Sequence, residues 1–563
     1  NALASATSGG SNIAIGRLAG GNTTTINLNT YIGYVAGYAN QTGGYNTIIG
    51  NESYSQTTGV VNFAYVTTLG GEAGRYATGS YNTFIGAEAG LGGTTSAPFS
   101  SGQNNTAMGY QALKAFTTAG DNVAIGYQAA ESLTTGEHNV FVGKDAGTYS
   151  TVSSRAVGVG YRALARYGLS STVTGAPVAI GFEAGHYATG STNVFVGYEA
   201  GMGGTTSAPY SSGIENTAVG YQALAGFTTS NRNVAIGHQA GTAVTSGGNN
   251  VFVGGYRAGY ANTSGNNNIM IGYAAGAANV SGDEMILIGT GAGANLNHDT
   301  DNDGAVFIGY NAGTNYVSGG GGGVFIGFKA GQMADAAATN AVQNTYIGYE
   351  AGRFLDDGTN NVALGHTAMR SIDADGHNAN HSIAIGFEAL YGITDGDYNV
   401  AVGSRALKVH TTGTRNIAIG YEAMHDTDAG TTAQGSSDNI FMGYSAGGGT
   451  WANAACTHNI GIGNYVMDAA LNGALANTAL GYNSLSALTT GDYNTSIGAH
   501  SMTALTTGAA NIGLGVNALN VHTTGDKNIA IGNNAMYNTD AGSTSLGSTE
   551  NIFIGYEAGG GTW

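Results

Sequence analysis

Residues 122–143, NVAIGYQAAESLTTGEHNVFVG, state one phrase twice: Asn122-Val-Ala-Ile-Gly126 returns as Asn139-Val-Phe-Val-Gly143 after about 17 residues. The phrase is Asn or a substitute, an apolar residue, a variable small or aromatic residue, Ile/Val/Leu/Met, then Gly. It recurs about thirty times. Early copies begin at Asn12, Asn29, Asn46, Val66 and Asn82, and late ones at Asn477, Asn494, Asn511, Asn528 and Asn551. Counting the Asn as position one fixes a common numbering for every repeat.

A longer period is superimposed. Copies at Asn82, Asn193, Ala305, Asn416 and Asn528 are about 112 residues apart, six short repeats to a block. The wording agrees: GLGGTTSAPFSSGQNNTAMGYQAL (Gly90–Leu113) returns as GMGGTTSAPYSSGIENTAVGYQAL (Gly201–Leu224). The chain therefore reads as one continuous array, 1–563, with blocks near 1–81, 82–192, 193–304, 305–415, 416–527 and 528–563. It ends near the phase at which it began, as expected of a piece of a longer periodic fibre.

Seventeen residues are too few for the two helices of a helical solenoid repeat, which needs more than about thirty. Short Val/Ile/Phe/Tyr runs closed by Gly, with T-T-G, T-S-G or D-G turns between them, are β-like. The expected fold is all-β: a parallel β-solenoid of about thirty coils, each hydrogen-bonded to the next at about 4.8 Å, roughly 140 Å in all. Gly at position five suits a corner, and the leading Asn residues should stack as an amide ladder.

Composition excludes several classes. Gly 98 against Pro 3 without a G-X-Y step is not collagen, and 42% hydrophobic residues at fixed places are not a disordered chain. A net charge of -18 argues against nucleic acid and anionic membrane as partners. No apolar run approaches the ~18 residues of a membrane span, and the chain opens at Asn1 without a signal-peptide pattern. Cys456, the one cysteine, rules out an intrachain disulfide framework.

Positions two and four point to one strand face and position three to the other. Position three is also small or apolar, so the strand is apolar on both faces and should be covered on both. One face lines the coil, and the other is expected to meet a further copy of the chain, most simply in a homotrimer. Position three is the expected contact, which would place Phe141, Phe195, Phe252, Phe307, Phe325, Phe441 and Phe553 between chains or deeply buried.

NTAVGYQAL, NVAIGYQAA and NTALGYNSL, followed by LTTG or FTTG, resemble the repeats of phage-type tail-fibre proteins. More distantly, they are similar to the β-roll heads of trimeric autotransporter adhesins. The resemblance covers essentially the whole chain and implies an extracellular trimeric fibre shaft or adhesive stalk. Two features depart from it: the coil is longer than that of the adhesin heads, and no coiled-coil stalk or anchor pattern is found.

The strongest chemical candidate is His298-Asp-Thr-Asp-Asn-Asp-Gly304. Asp299, Asp301 and Asp303 alternate before a Gly, as in the first half of an EF-hand-type calcium loop. The closing Glu is missing, since Tyr310 stands in its place, and the bland counterpart is a solvated acidic turn. Asp373 and Asp375 with His377 and His381, then Asp426/Asp428 and Asp540, are weaker versions. Glu or Gln at position seven reads as a solvated outer row, and Tyr at position six as rings stacked between coils rather than a sugar platform.

No cleft or catalytic cluster emerges, so the expected function is a non-enzymatic extracellular fibre or filament shaft. A calcium-stabilised adhesin binding a surface glycan is the alternative, with contacts at the extended loops Thr94–Ser101 and Thr205–Ser212. Ice binding is disfavoured because the Thr pairs lie in turns. A polysaccharide-cleaving tailspike is disfavoured because it would have wider coils and clustered acids.

Overall fold

The computed structural model describes the chain except residues 57–60, 95–97, 170–174, 205–209, 297–302, 317–321, 334–341, 373–376, 428–434, 452–453, 540–546 and 562–563. The chain divides into two compact units, Asn1–Ala274 and Ala275–Trp563. Each is a parallel β-solenoid, and there is no helix among the described residues.

In the first unit, fifteen short strands run from β1 (Ile13–Ile15) to β15 (Ile269–Ile271). Each strand before β15 pairs in parallel with the strand one coil on. Between β7 (Val123–Ile125) and β8 (Val140–Val142), for example, Val123 faces Val140, Ala124 faces Phe141 and Ile125 faces Val142. The second unit repeats the plan from β16 (Ile286–Ile288) to β30 (Ile552–Ile554). The expected all-β parallel solenoid is the fold.

Three features of the repeated wording lock the coils. The first is the leading Asn, buried in coil after coil. Asn139 donates from its backbone N–H and from Nδ2 to Asn122 Oδ1, both at 2.9 Å, and from Nδ2 to the Ser153 carbonyl at 2.8 Å. Asn122 does the same to Asn105 Oδ1, at 3.2 and 3.1 Å. Asn122 and Asn139 thus each use both Nδ2 hydrogens and Oδ1, which is how a polar side chain is held in a dry interior.

The second is the Gly at position five. Gly126 has φ 134°, and a Cβ there would overlap the Gly143 carbonyl of the next coil. Only glycine combines that conformation with so close a backbone approach.

The third feature is a size rule inside the coil. Where position three carries an aromatic ring, position nine is Gly: Phe141 with Gly147, Phe195 with Gly201, Phe307 with Gly313 and Tyr346 with Gly352; in the Phe252 coil, one residue longer, Gly259 takes that place. Where position three is Ala, position nine is usually larger, as in Ala107 with Leu113, Ala218 with Leu224 and Ala418 with Met424. A Cβ on Gly147 would sit 2.7 Å from the Phe141 ring. The two positions share one volume, as close-packed interiors require.

The expected deep burial of the position-three rings is present, but it lies within one chain, which corrects their assignment to a contact between chains. Phe141, Phe195, Phe252, Phe307, Phe325 and Phe441 are 0% exposed within the single chain, pointing into their own coil. Phe553, in the terminal strand, is half-buried. Position three therefore lines the interior, and positions two and four face outward. Alternation separates the two faces but carries no label for which is inside; the Gly at position nine supplies the room that makes the ring side interior.

Candidate functional site: the outward strand face and its flanking ladders

The outward face consists of the first and third residues of the thirty strands. Of these sixty side chains, fifty-one are Val, Ile, Leu or Met and nine are Thr. None is charged, although the chain holds 16 Lys and Arg and 34 Asp and Glu, so charge is kept off this face along both units. Many of these residues remain substantially open, with Ile180 at 42% and Leu364 at 45% exposure. Over fifteen coils at about 4.8 Å, and about 10 Å across, each unit presents roughly 700 Å² of apolar surface, more than the 300–600 Å² of a typical monomer's largest patch.

Position six extends the stripe as a row of rings. In the first unit Tyr161, Phe182, Tyr198, Tyr221, His238, Tyr256 and Tyr273 follow one another at centroid distances of 5.0, 4.9, 5.3, 4.8, 5.3 and 5.3 Å. The extra glycine at Gly254-Gly255 is absorbed by a register shift, so Tyr256 still aligns with His238. In the second unit Tyr310, Phe328, Tyr349 and His366 stack at 5.2, 5.0 and 4.7 Å. The expected stacking between coils is present. Ring faces are covered by neighbouring rings, which leaves mainly edges for solvent and disfavours a sugar-stacking platform.

Position seven differs from the solvated row read from the sequence. Gln128 Nε2 donates to Gln111 Oε1 and Gln111 Nε2 to Glu88 Oε2, both at 2.9 Å, and Lys114 Nζ closes on Glu88 at 2.9 Å. Gln239 to Gln222 (3.0 Å) and Gln222 to Glu199 (2.8 Å) form a second run, capped by Arg257 Nε on Gln239 at 3.0 Å. Elsewhere Glu350 is 7% exposed between Arg353 (2.7 Å) and Arg370 (3.2 Å). Hydrogen bonds from Gln111 and then Lys114 hold the Glu88 carboxyl below its ordinary range. Gln128 adopts φ 53° and Glu199 φ 52°. That left-handed turn lays their side chains along the solenoid, within reach of the next coil.

Of the proposed calcium ligands, Asp299 and Asp301 lie outside the described residues, as do Asp373, Asp375, Asp428 and Asp540. Asp303 is described, and its Oδ1 accepts from the Asp283 N–H at 2.8 Å. It stands two residues before its coil's first position, where Asp397, Asp492 and Asp526 each accept from the backbone of the preceding coil at 2.8, 2.8 and 2.7 Å. Asp303 thus belongs to a recurring coil-to-coil cap, a role invisible in an isolated EF-hand-like string. His381 stacks on Tyr398 at 4.9 Å, and His425 Nδ1 meets Asp426 Oδ1 at 3.0 Å. Among the described residues no three His, Cys, Asp or Glu side chains converge as metal ligands, and no helix is long and apolar enough to cross a membrane.

Residues 95–97 and 205–209 of the two extended loops fall outside the described residues. The end of the second loop is anchored: Arg166 Nη1 donates to the Tyr210 hydroxyl at 2.7 Å, and its guanidinium lies over the rings of Tyr149 (4.6 Å), Tyr187 (5.6 Å) and Tyr210 (4.8 Å). Beside the first loop, Gly92, Gly93, Ala115 and Ser132 leave a shallow trough of about 370 Å³ rimmed by Leu91, Lys114 and Glu131. The chain matches no protein-family profile and no curated protein sequence.

Proposed function

We propose that the chain is a non-enzymatic structural shaft of an extracellular fibre, either a microbial surface filament or adhesin or a phage-type tail fibre. One observation carries this reading. Coil after coil is joined to the next by the same Asn amide ladder and the same Gly-to-Gly backbone contact, so the repeat is spent on longitudinal continuity. Such nearest-neighbour stacking gives stiffness without a cleft. Fifteen coils make each unit about 70 Å long. Acidity elsewhere on the surface favours solubility.

A second reading, adhesive contact with a surface glycan, is favoured by the trough next to the Thr94–Ser101 loop, where a hydroxyl, a carboxylate and an ammonium border a small-residue floor. Negative-stain microscopy of the native source tests the first reading: narrow rods on cells, on virions or free in the medium are expected. Compact particles, or turnover of a glycan by the purified chain, would overturn it.

A further inference from the structure

We infer that the uncharged outward face of the strands is the interface through which copies of this chain pack on one another, coil against coil. The inference deepens the shaft reading and rests on it for its biological setting.

Solvated strand faces carry polar and charged residues in alternation with the core. Here the core side is position three, while positions two and four carry aliphatic residues or Thr in all thirty strands. In β7 and β8 this gives Val123, Ile125, Val140 and Val142 on one flat, half-exposed patch. Keeping charge off sixty positions serves nothing if the face stays wet. The cations and acids sit beside it instead: Lys144 with Asp145 (2.8 Å), Arg162 with Glu183 (3.4 Å) and Arg405 with Glu388 and Glu422 (both 3.2 Å). An apolar centre with charged margins is the anatomy of an interface.

The area is sufficient. Each unit offers roughly 700 Å² from positions two and four, and about 1,000 Å² with the position-six rings, against the ~800 Å² per partner of a standard stable complex. The occupant follows from periodicity. Side chains on this face recur once per coil, at about the 4.8 Å strand spacing, over fifteen coils in each unit. A partner that matches ridges to grooves along such a length must carry the same rise, and another copy of the chain has it. A folded protein of ordinary shape would lose register within a few coils. Closed association of identical chains through one stripe each gives a parallel trimer around an axis or a two-fold pair.

Light scattering on the intact purified chain reads this directly. A mass that is a whole multiple of 56.3 kDa is expected, three chains supporting the trimer and two the pair. Ile125→Lys with Val142→Lys places two ammonium groups on adjacent coils of the stripe and should shift the species to one chain. The charge-matched control Thr118→Lys with Thr135→Lys, two exposed turn residues off the stripe in adjacent coils, should leave the multimer intact. Ile125→Thr with Val142→Thr guards against misfolding, because Thr already occupies nine outward positions. With an unchanged far-ultraviolet CD spectrum, it should weaken association at least tenfold. A wild-type mass of one chain at micromolar concentration, or stripe variants that associate like wild type, would overturn the inference. Rods that are single chains would refute the interface and leave the shaft reading standing, whereas multimers without rods would do the reverse.

Discussion

Phe141 and Gly147 offer the sharpest test of how a coil is filled. Phe141→Ala removes a fully buried ring, and truncations of that kind cost about 3–5 kcal/mol, depending on how far the site collapses. Gly147→Leu alone places a side chain where even a Cβ would lie 2.7 Å from the ring, so it should be disruptive by overpacking, typically about 1–3 kcal/mol or more. Combined, the substitutions recreate the pairing of the natural coils Ala107 with Leu113 and Ala218 with Leu224. In those coils leucine already accepts φ 53° and 52°, close to the 62° of Gly147. The double variant should therefore recover to within about 1.5 kcal/mol of wild type, as volume-conserving exchanges do. That implies a coupling of at least about 2 kcal/mol between the sites, well above the few tenths seen for independent ones. Urea unfolding followed by CD gives the cycle. Hydrogen exchange over residues 139–156 shows whether the loss is confined to that coil, because solenoids unfold through neighbouring repeats. Additive effects, with the double variant worse than either single one, would refute the shared-volume rule.

Other substitutions probe the remaining locks. Asn122→Leu should destabilise by several kcal/mol, because it strands the two Asn139 donors and the Gly136 carbonyl, each worth about 1–3 kcal/mol when buried unpaired, while Asn105 Oδ1 keeps the backbone N–H of residue 122; a urea midpoint within error of wild type would contradict this. Gly126→Ala should be more damaging than Gly304→Ala, where a Cβ meets nothing within 4 Å, and the comparison of midpoints checks it. His186 is buried, and desolvation, then the charges of Arg162 and Arg166, lowers its pKa from 6.5 to about 4. The unfolded chain therefore takes up a proton first, and stability should fall as pH drops from 6.5 towards 4 by up to about 1.4 kcal/mol per unit. His186→Gln should flatten that part of the wild-type profile. Chelation with EGTA should leave the thermal midpoint unchanged, since the Asp303 carboxylate already serves the Asp283 N–H; a calcium-dependent shift would instead assign Asp299, Asp301 and Asp303 to a cation.

Much of the solenoid was legible because its signals are local and repeated. Asn139 and Gly143 each have one role, set by the coil before or after, and a period of about 17 residues announces it. The ring stack at position six was legible for the same reason. What escaped were relations between positions of a coil. That Phe141 and Gly147 trade volume is visible in the string, but only once positions three and nine are known to meet across the interior. Without that contact, the parity of the strand gave two apolar faces and no means of telling inside from outside. Asp303 carries a role its neighbours did not show: beside the metal-loop wording, its coil position, shared with Asp397, Asp492 and Asp526, makes it a cap on the preceding coil. The reach of position seven was missed because a left-handed Gln or Glu is not an expected conformation, and it is that turn which brings Gln128 to Gln111.

A coil whose interior holds Ala124, Ala129, Ala130, Leu133 and a saturated Asn buries little apolar area for its length. Its cohesion leans on hydrogen bonds to the next coil, which favour extension along the stack and contribute nothing sideways. The larger aliphatic side chains, Val123 and Ile125, are placed outside, where a single chain gains only part of their burial. A fold selected for stability as a lone rod would gain by exchanging those two sets, bulk inward and small polar residues outward. The Ala124 coil has the reverse arrangement, and even a coil filled by a ring, such as that of Phe141, keeps Val140 and Val142 outside. The proposed packing of copies would recover that burial, and because the net charge of -18 opposes it, the association should tighten as added salt screens the repulsion. A multimer that dissociates on raising sodium chloride from 0.05 to 0.5 M (~14 to ~4 Å screening length) would mean that charge pairing, not the aliphatic stripe, holds the copies together.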